Sequence, residues 1–355
     1  MPRLRRVDCS TPGIRRRRRG KGFSYVDEDG RPVREPEVLS RIGELAIPPA
    51  WQDVWICPYP NGHLQATGTD AAGRKQYRYH DEWRRRQDQS KFDEMLDFAR
   101  SLPTLRRRVA ADLDAGDELT RERVLACAVR LLDRGFFRIG SEDYAVRNET
   151  YGLATMRKEH VTIRETGVVF DYIAKSGKRR VQAIVDDDVA EVLGRLKRRR
   201  GGGPELLAFR AGRVWRDVKS ADINAYVKAA TGADYSAKDF RTWNATVLAA
   251  VGLAVSGRAA ATPTSRKRAV NRVVKEVSHY LGNTPAVCRA SYIDPRVFDA
   301  YRAGVTIGNV LDDLTEGIAA GELPIHHRVV EEAVIDLISE KQDAPGLEQV
   351  HVAAA

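Results

Sequence analysis

The stretch HVTIRETGVVFDYIAKSGKRRVQAIV, residues 160–185, decides the architecture of most of this chain. Three β-prone runs, 160–164, 168–174 and 180–185, are separated by Glu165-Thr166-Gly167 and by Lys175-Ser176-Gly177-Lys178. Short strands joined by tight turns of this composition predict antiparallel hairpins. The flanks have a helical period instead. Upstream, Phe92, Leu96 and Ala99 share one face. Thr120 can cap a helix with an apolar stripe of Val124, Ala128, Leu131 and Leu132, stopped at Gly135. Core packing accounts for that stripe. Downstream, helices are expected over 186–197, 222–230, 238–253, 265–281 and 329–341. A flexible basic linker is expected at 198–203 (three arginines, then three glycines), and a loose tail from 342. The sheet therefore sits inside a mainly helical domain.

Residues 23–88 read differently. Strands are expected at 23–26, 53–57, 63–67 and 76–80, and Tyr59-Pro60-Asn61-Gly62 is a hairpin signal. The expected fold class is α+β. A small β-rich N-terminal domain (1–90, with a basic arm) precedes a larger, mainly helical domain (91–355) that contains the three-stranded antiparallel sheet.

The 355 residues carry a net charge of +10, which points to a polyanionic partner. Its distribution matters. Residues 1–22 hold nine basic groups, including Arg15 to Arg19, against one acid, Asp8, so that segment supplies +8 of the total. Charge alone fits a solvated arm as well as a nucleic-acid contact. The four cysteines, Cys9, Cys57, Cys127 and Cys288, are far apart, which argues against a zinc site and for reduced structural thiols. No apolar run approaches the roughly 20 residues of a membrane helix, and the basic N-terminus lacks a signal-peptide core. A cytoplasmic location is expected. There is no phosphate-binding P-loop and no His-Glu-x-x-His. Asp186-Asp187-Asp188 could hold magnesium, but acids at a helix start more often meet the helix dipole. No cofactor and no metal are expected.

Several polar groups fall at element ends, where sites tend to be built. Arg138 follows the Gly135 stop, Lys175 and Lys178 sit on a hairpin tip, Arg241 opens a helix, and Tyr292 lies nine residues after Asn283. Singly, each is better read as a surface charge, a cap partner or a core aromatic. Their joint order is more specific. Arg-Ile-Gly at 138–140, Asn-Glu-Thr-Tyr-Gly-Leu at 148–153 and Lys-Ser-Gly-Lys at 175–178 come first. Lys-Asp-Phe-Arg-Thr at 238–242 and Leu-Gly-Asn-Thr-Pro-Ala-Val-Cys-Arg-Ala-Ser-Tyr at 281–292 follow. With Gly-Arg-Lys-Gln-Tyr-Arg-Tyr at 73–79, the series resembles the type IB DNA topoisomerases, specifically their small poxvirus-like bacterial branch, over roughly residues 10–310.

The resemblance implies a role for each matching position. Tyr292 would be the nucleophile that forms a 3′-phosphotyrosyl link. Arg138 and Arg241 would clamp the non-bridging phosphate oxygens, and Lys175, or Lys178 in the same turn, would protonate the leaving 5′ oxygen. Asn283 stands where the family more often has histidine. It can donate a hydrogen bond but carries no charge, which predicts slower transesterification. Gln76, Tyr77 and Tyr79 match a strand that lies in the major groove, and Tyr144 and Lys238 match DNA contacts near the cleavage site. The implied activity is ATP-independent relaxation of positive and negative supercoils by a monomer that clamps double-stranded DNA, associated with the nucleoid. Two rivals remain at this point. A tyrosine recombinase shares this chemistry, but recombinases resemble His-x-x-Arg where this chain has Lys238-x-x-Arg241, and their N-terminal domain is usually helical. A non-catalytic duplex DNA-binding protein is the other.

Overall fold

The arginine run is a strand, not an arm. In the computed structural model, which describes residues 3–142, 145, 148–257, 262–312, 328–341 and 343–350, Ile14–Arg19 forms β1. It pairs antiparallel with β2 (Gly22–Val26) and with β3 (Gln52–Ile56). Alternation explains the difference from the sequence reading. Ile14 is buried, and Arg16 turns inward to donate to the carbonyls of Ile47, Pro48 and Trp51. With β4 (Leu64–Thr69) and β5 (Lys75–Tyr79) the sheet order is β2-β1-β3-β4-β5. An unforeseen helix, α1 (Pro36–Glu44), packs Ile42 against Ile14, Val54, Ile56 and Ala66 on one face. The other face buries Trp55, Cys57 and Leu64 under Val7 and Cys9. The alternate residues of β3 thus serve two small cores.

The chain divides into two compact units, Met1–Asp93 and Glu94–Ala355, and the boundary falls inside α2 (Asp81–Leu113). In the second unit, α3 (Arg121–Gly135) begins where expected, with Thr120 accepting a hydrogen bond from Arg123 N. Its end departs from expectation. The left-handed C-cap is Phe136, at φ 53°, and Gly135 remains helical. A Cβ on Gly135 would lie 2.3 Å from the Phe137 ring, so that glycine serves close packing.

The expected sheet is present as β6 (Val161–Arg164), β7 (Gly167–Ala174) and β8 (Lys178–Ile184), all antiparallel. Asp186 caps α4 (Asp187–Arg198), accepting from Val189 N and pairing with Arg130 and Arg134 at 3.1 and 3.0 Å. That is the dipole role the sequence favoured over magnesium.

The basic linker is more constrained than its glycines suggest. Arg199 is buried, donates to the carbonyls of Leu196 and Leu206, and lies over Trp215. Trp215 belongs to an unforeseen hairpin, β9 (Ala208–Ala211) and β10 (Val214–Asp217). Helices α5 (Ser220–Thr231), α6 (Ala237–Gly257), α7 (Pro263–Leu281), α8 (Pro285–Ser291) and α9 (Pro295–Ala303) follow. After β11 (Val305–Thr306) and α10 (Gly308–Asp312) comes α11 (Arg328–Ile338). Part of the expected loose tail is anchored. Glu348–Gln349, β12, pairs with β11, and Leu347 is buried.

A buried polar cluster ties these helices together. Arg106 on α2 forks onto Asp133 of α3 at 2.8 and 2.9 Å and onto Glu331 of α11 at 2.5 and 2.9 Å. On α6, Trp243 donates its indole N–H to Glu331 at 3.0 Å, and Asn244 donates to the Asp133 carbonyl at 2.7 Å. Burial works against the Arg106 charge, but the two carboxylates outweigh it and raise the guanidinium pKa. Removing one member strands the others without compensation. Glu331→Ala is expected to lower stability by about 3 kcal/mol, at the low end for buried pairs because Arg106 keeps some solvent contact. Urea unfolding followed by tryptophan fluorescence reads this, and a loss below about 1 kcal/mol would mean the cluster does not hold the helices.

Candidate active site

The site is built where α7 ends. The last carbonyls of a helix have no intrahelical partner and carry the negative end of its dipole. Here arginines take them: Arg241 donates to Leu281 O at 2.8 Å and Arg138 to Gly282 O at 3.2 Å. Gly282, at φ 63°, turns the chain so that Asn283 follows directly.

Arg241 is the fifth residue of α6 and is only 4% exposed. Its other terminal nitrogen donates to Phe136 O at 2.6 Å, a carbonyl aimed there by the left-handed backbone of Phe136. Its Nε is buried and, among the described residues, has no hydrogen-bond partner of good geometry. Burial, and then the nearby Arg138 charge, bring its pKa down to about 10.

Arg138 is half-buried, in the segment that leaves α3, and it donates to Asn283 Oδ1 in a short contact. A guanidinium only donates, so the amide oxygen must face it. The Asn283 amide nitrogen therefore points elsewhere, and it is buried with no partner of good geometry among the described residues.

Tyr292 follows α8, whose N-terminus is capped by Thr284. Its backbone is held from α6, where Thr246 Oγ1 lies 3.3 Å from Tyr292 O and accepts from Asp294 N at 3.1 Å. The Arg241 guanidinium lies 5.4 Å from the centre of the Tyr292 ring. Burial opposes the phenolate, but the Arg241 charge, the Asn283 side chain and the Arg138 charge outweigh it. The phenol pKa is held below its ordinary value.

Lys175 is exposed at the tip of the β7–β8 hairpin, followed by Ser176 and Gly177 at φ 68° and 69°. One pocket of about 330 Å³ is lined by Arg138, Lys175, Lys238, Arg241, Tyr292 and Tyr151, among others. Lys178 does not line it. A neighbouring cavity of about 470 Å³ shares Arg138 and Lys175 and adds Lys178 and Asn283. The structure thus brings together Arg138, Lys175, Lys238, Arg241 and Tyr292, with Asn283 joined through Arg138.

Tyr144 lies outside the described residues. Gln76, Tyr77 and Tyr79 are on β5, an edge strand of the first unit, and they do not share a face. Tyr77 and Tyr79 project to one side, 46% and 38% exposed, with rings stacked 6.0 Å apart. Gln76 projects to the other side and donates to Asp70 at 2.9 Å. Sequence reading missed one position at the pocket and one that holds the Tyr292 backbone. Tyr151 sat in the quoted 148–153 motif without a role. Thr246 left no signal, because one buried threonine on an apolar helix looks like core.

Residues 80–306 match the family model of the eukaryotic DNA topoisomerase I catalytic core, and residues 22–70 match that of the bacterial DNA topoisomerase IB N-terminal domain. The chain is 30% identical over 302 residues to DNA topoisomerase 1B of Acanthamoeba polyphaga mimivirus, covering 82% of this chain and 88% of the viral protein. It is 31% identical over 163 residues to DNA topoisomerase 1 of Candidozyma auris, covering 44% of this chain and 20% of that one. The similarity runs through both units, and on it the chain belongs to the type IB DNA topoisomerase family, a family of isomerases.

Proposed function

We propose that this chain relaxes positive and negative supercoils by cutting one strand of duplex DNA through Tyr292, letting it rotate, and resealing it. The observation that carries this reading is the convergence of Arg138, Lys175, Arg241 and Tyr292 on one pocket. The Tyr292 phenolate attacks the scissile phosphorus, a Tyr–O–P bond forms and the P–O5′ bond breaks. The leaving 5′ oxygen takes a proton from Lys175, whose hairpin tip can reach the phosphate. Religation runs the same steps backwards. The phosphodiester energy is kept in the covalent link, so no nucleotide is consumed.

Arg138 and Arg241 stabilise charge on the non-bridging oxygens, for which a planar, permanently charged fork is suited. Asn283 adds a neutral donor. Its oxygen engages Arg138, which leaves its nitrogen for the phenolate or a phosphate oxygen. Lys238 at the pocket, Tyr144, and Gln76, Tyr77 and Tyr79 on β5 would bind the duplex. Tyr77 and Tyr79 offer an exposed aromatic face, while Gln76 can read a base edge from the opposite side of the strand. A monomer whose two units clamp the duplex fits this division of residues, as does association with the nucleoid. Among the described residues no helix is long and apolar enough to cross a membrane.

Plasmid relaxation with EDTA present and ATP absent tests the whole reading. Wild type should relax the plasmid, and Tyr292→Phe should bind DNA equally and leave no covalent adduct. Relaxation by the Phe variant would remove Tyr292 from the reaction. Lys175→Ala should slow cleavage by about 10² to 10⁴-fold, and a substrate with a better leaving group at the 5′ position should recover most of it. The pH dependence has a defined sign. Cleavage should rise with pH as the phenol ionises and level off early, because its neighbours lower the Tyr292 pKa. Asn283→Ala removes one lowering influence, so the rising limb should move to higher pH. An unmoved limb would mean that Asn283 does not act on the phenol.

A further inference from the structure

A third arginine reaches the end of α7. Arg180 on β8 donates to Tyr280 O at 2.7 Å, and from the same nitrogen to Gln182 Oε1 at 3.1 Å. The carbonyls of Tyr280, Leu281 and Gly282 are therefore taken in succession by Arg180, Arg241 and Arg138. The contact is close. A Cβ on Gly282 would lie 2.5 Å from Arg180 Nη1, so the guanidinium lies directly against the backbone that precedes Asn283. Arg180 also faces the cavity that Lys175, Arg138 and Asn283 line. It stands on the strand that leaves the Lys175 hairpin tip, opposite Tyr172 of β7. Burial, and then the Arg138 charge, lower its pKa, while Tyr172 works the other way. A half-buried cation set against like charges costs free energy, and that cost is offset here at the negative end of a helix.

We propose that Arg180 is a positioning residue for strand cleavage. It locks the Tyr280–Asn283 turn to the hairpin that carries Lys175, and so holds Asn283 and Arg138 in register with the general acid. This rests on Tyr292 being the nucleophile. Arg180 touches no reacting atom in this account; it acts through the turn.

Single-turnover cleavage of a duplex oligonucleotide that traps the covalent adduct tests this, alongside duplex affinity measured against salt. Arg180→Gln, which can face the open cavity without losing the fold, should cleave about 10²-fold more slowly, the scale of a misplaced reacting group. Its affinity and salt dependence should match wild type. Arg180→Lys should lose about tenfold, because an ammonium can still reach Tyr280 O but lacks the fork. This second variant keeps the charge on a slightly shorter side chain and carries the test if the first does not fold. The Arg180→Gln/Asn283→Ala double variant should be no slower than the slower single, since both act through one turn.

Wild-type rates in both single variants would overturn the proposal. So would weakened binding with a salt slope reduced by about one, which would make Arg180 a direct phosphate ligand. Additive losses in the double variant would overturn it too. No covalent adduct in wild type would overturn the Tyr292 reading and this inference with it, a result distinct from an adduct that forms at an unchanged rate.

Discussion

The fork of Arg106 onto Asp133 and Glu331 sets the position of α6, and most of the second unit follows from that helix. Trp243 and Asn244, on one turn of α6, complete the cluster from the other side. One turn towards the N-terminus lies Arg241, and one turn towards the C-terminus lies Thr246, which steadies the backbone at Tyr292. A helix held in its N-terminal half by the Trp243 and Asn244 hydrogen bonds presents both of these residues with little freedom. Apolar packing around Phe240 and Val247 adds depth without direction. The polar fork supplies direction, because a guanidinium accepts only a narrow set of geometries.

The second constraint is the C-terminal end of α7. Buried, clustered cations are costly, and Arg241, desolvated first and then set against Arg138, has its pKa brought down to about 10. Here the like charges are tolerated because each guanidinium has a backbone carbonyl at a helix C-terminus, where the dipole favours positive charge. The resulting group is charged before any substrate arrives. In the proposed reaction, a phosphodiester entering it would meet donors already oriented, an arrangement suited to stabilising charge that develops only in the transition state.

The same end of the helix gives Asn283 its meaning. As sequence, the residue looked like a weakened substitute for histidine. In the structure its oxygen is occupied by Arg138, and its buried nitrogen is left to favour the Tyr292 phenolate. An uncharged amide can orient an arginine and still offer a donor, so loss of the histidine charge does not empty the position.

Much of this was legible in the residues. The turns at 165–167 and 175–178 announced the sheet, because turn chemistry and strand alternation are local. The caps Thr120 and Asp186 were readable for the same reason. So was the series ending in Tyr292, since the order of motifs survives whatever the chain does between them. What sequence could not carry was direction. The Arg15–Arg19 run looked like an arm open to solvent or nucleic acid, yet Arg16 turns inward; Gly135 looked like the left-handed cap, yet Phe136 takes that conformation; Gln76 and Tyr77 looked like one contact surface, yet they face opposite sides of β5. Arg180 was one arginine among many until Tyr280 O stood 2.7 Å away. Local chemistry determines which elements form and which groups are capable of reaction. Which of those groups meet depends on contacts across a hundred residues or more, and only the packed chain decides those.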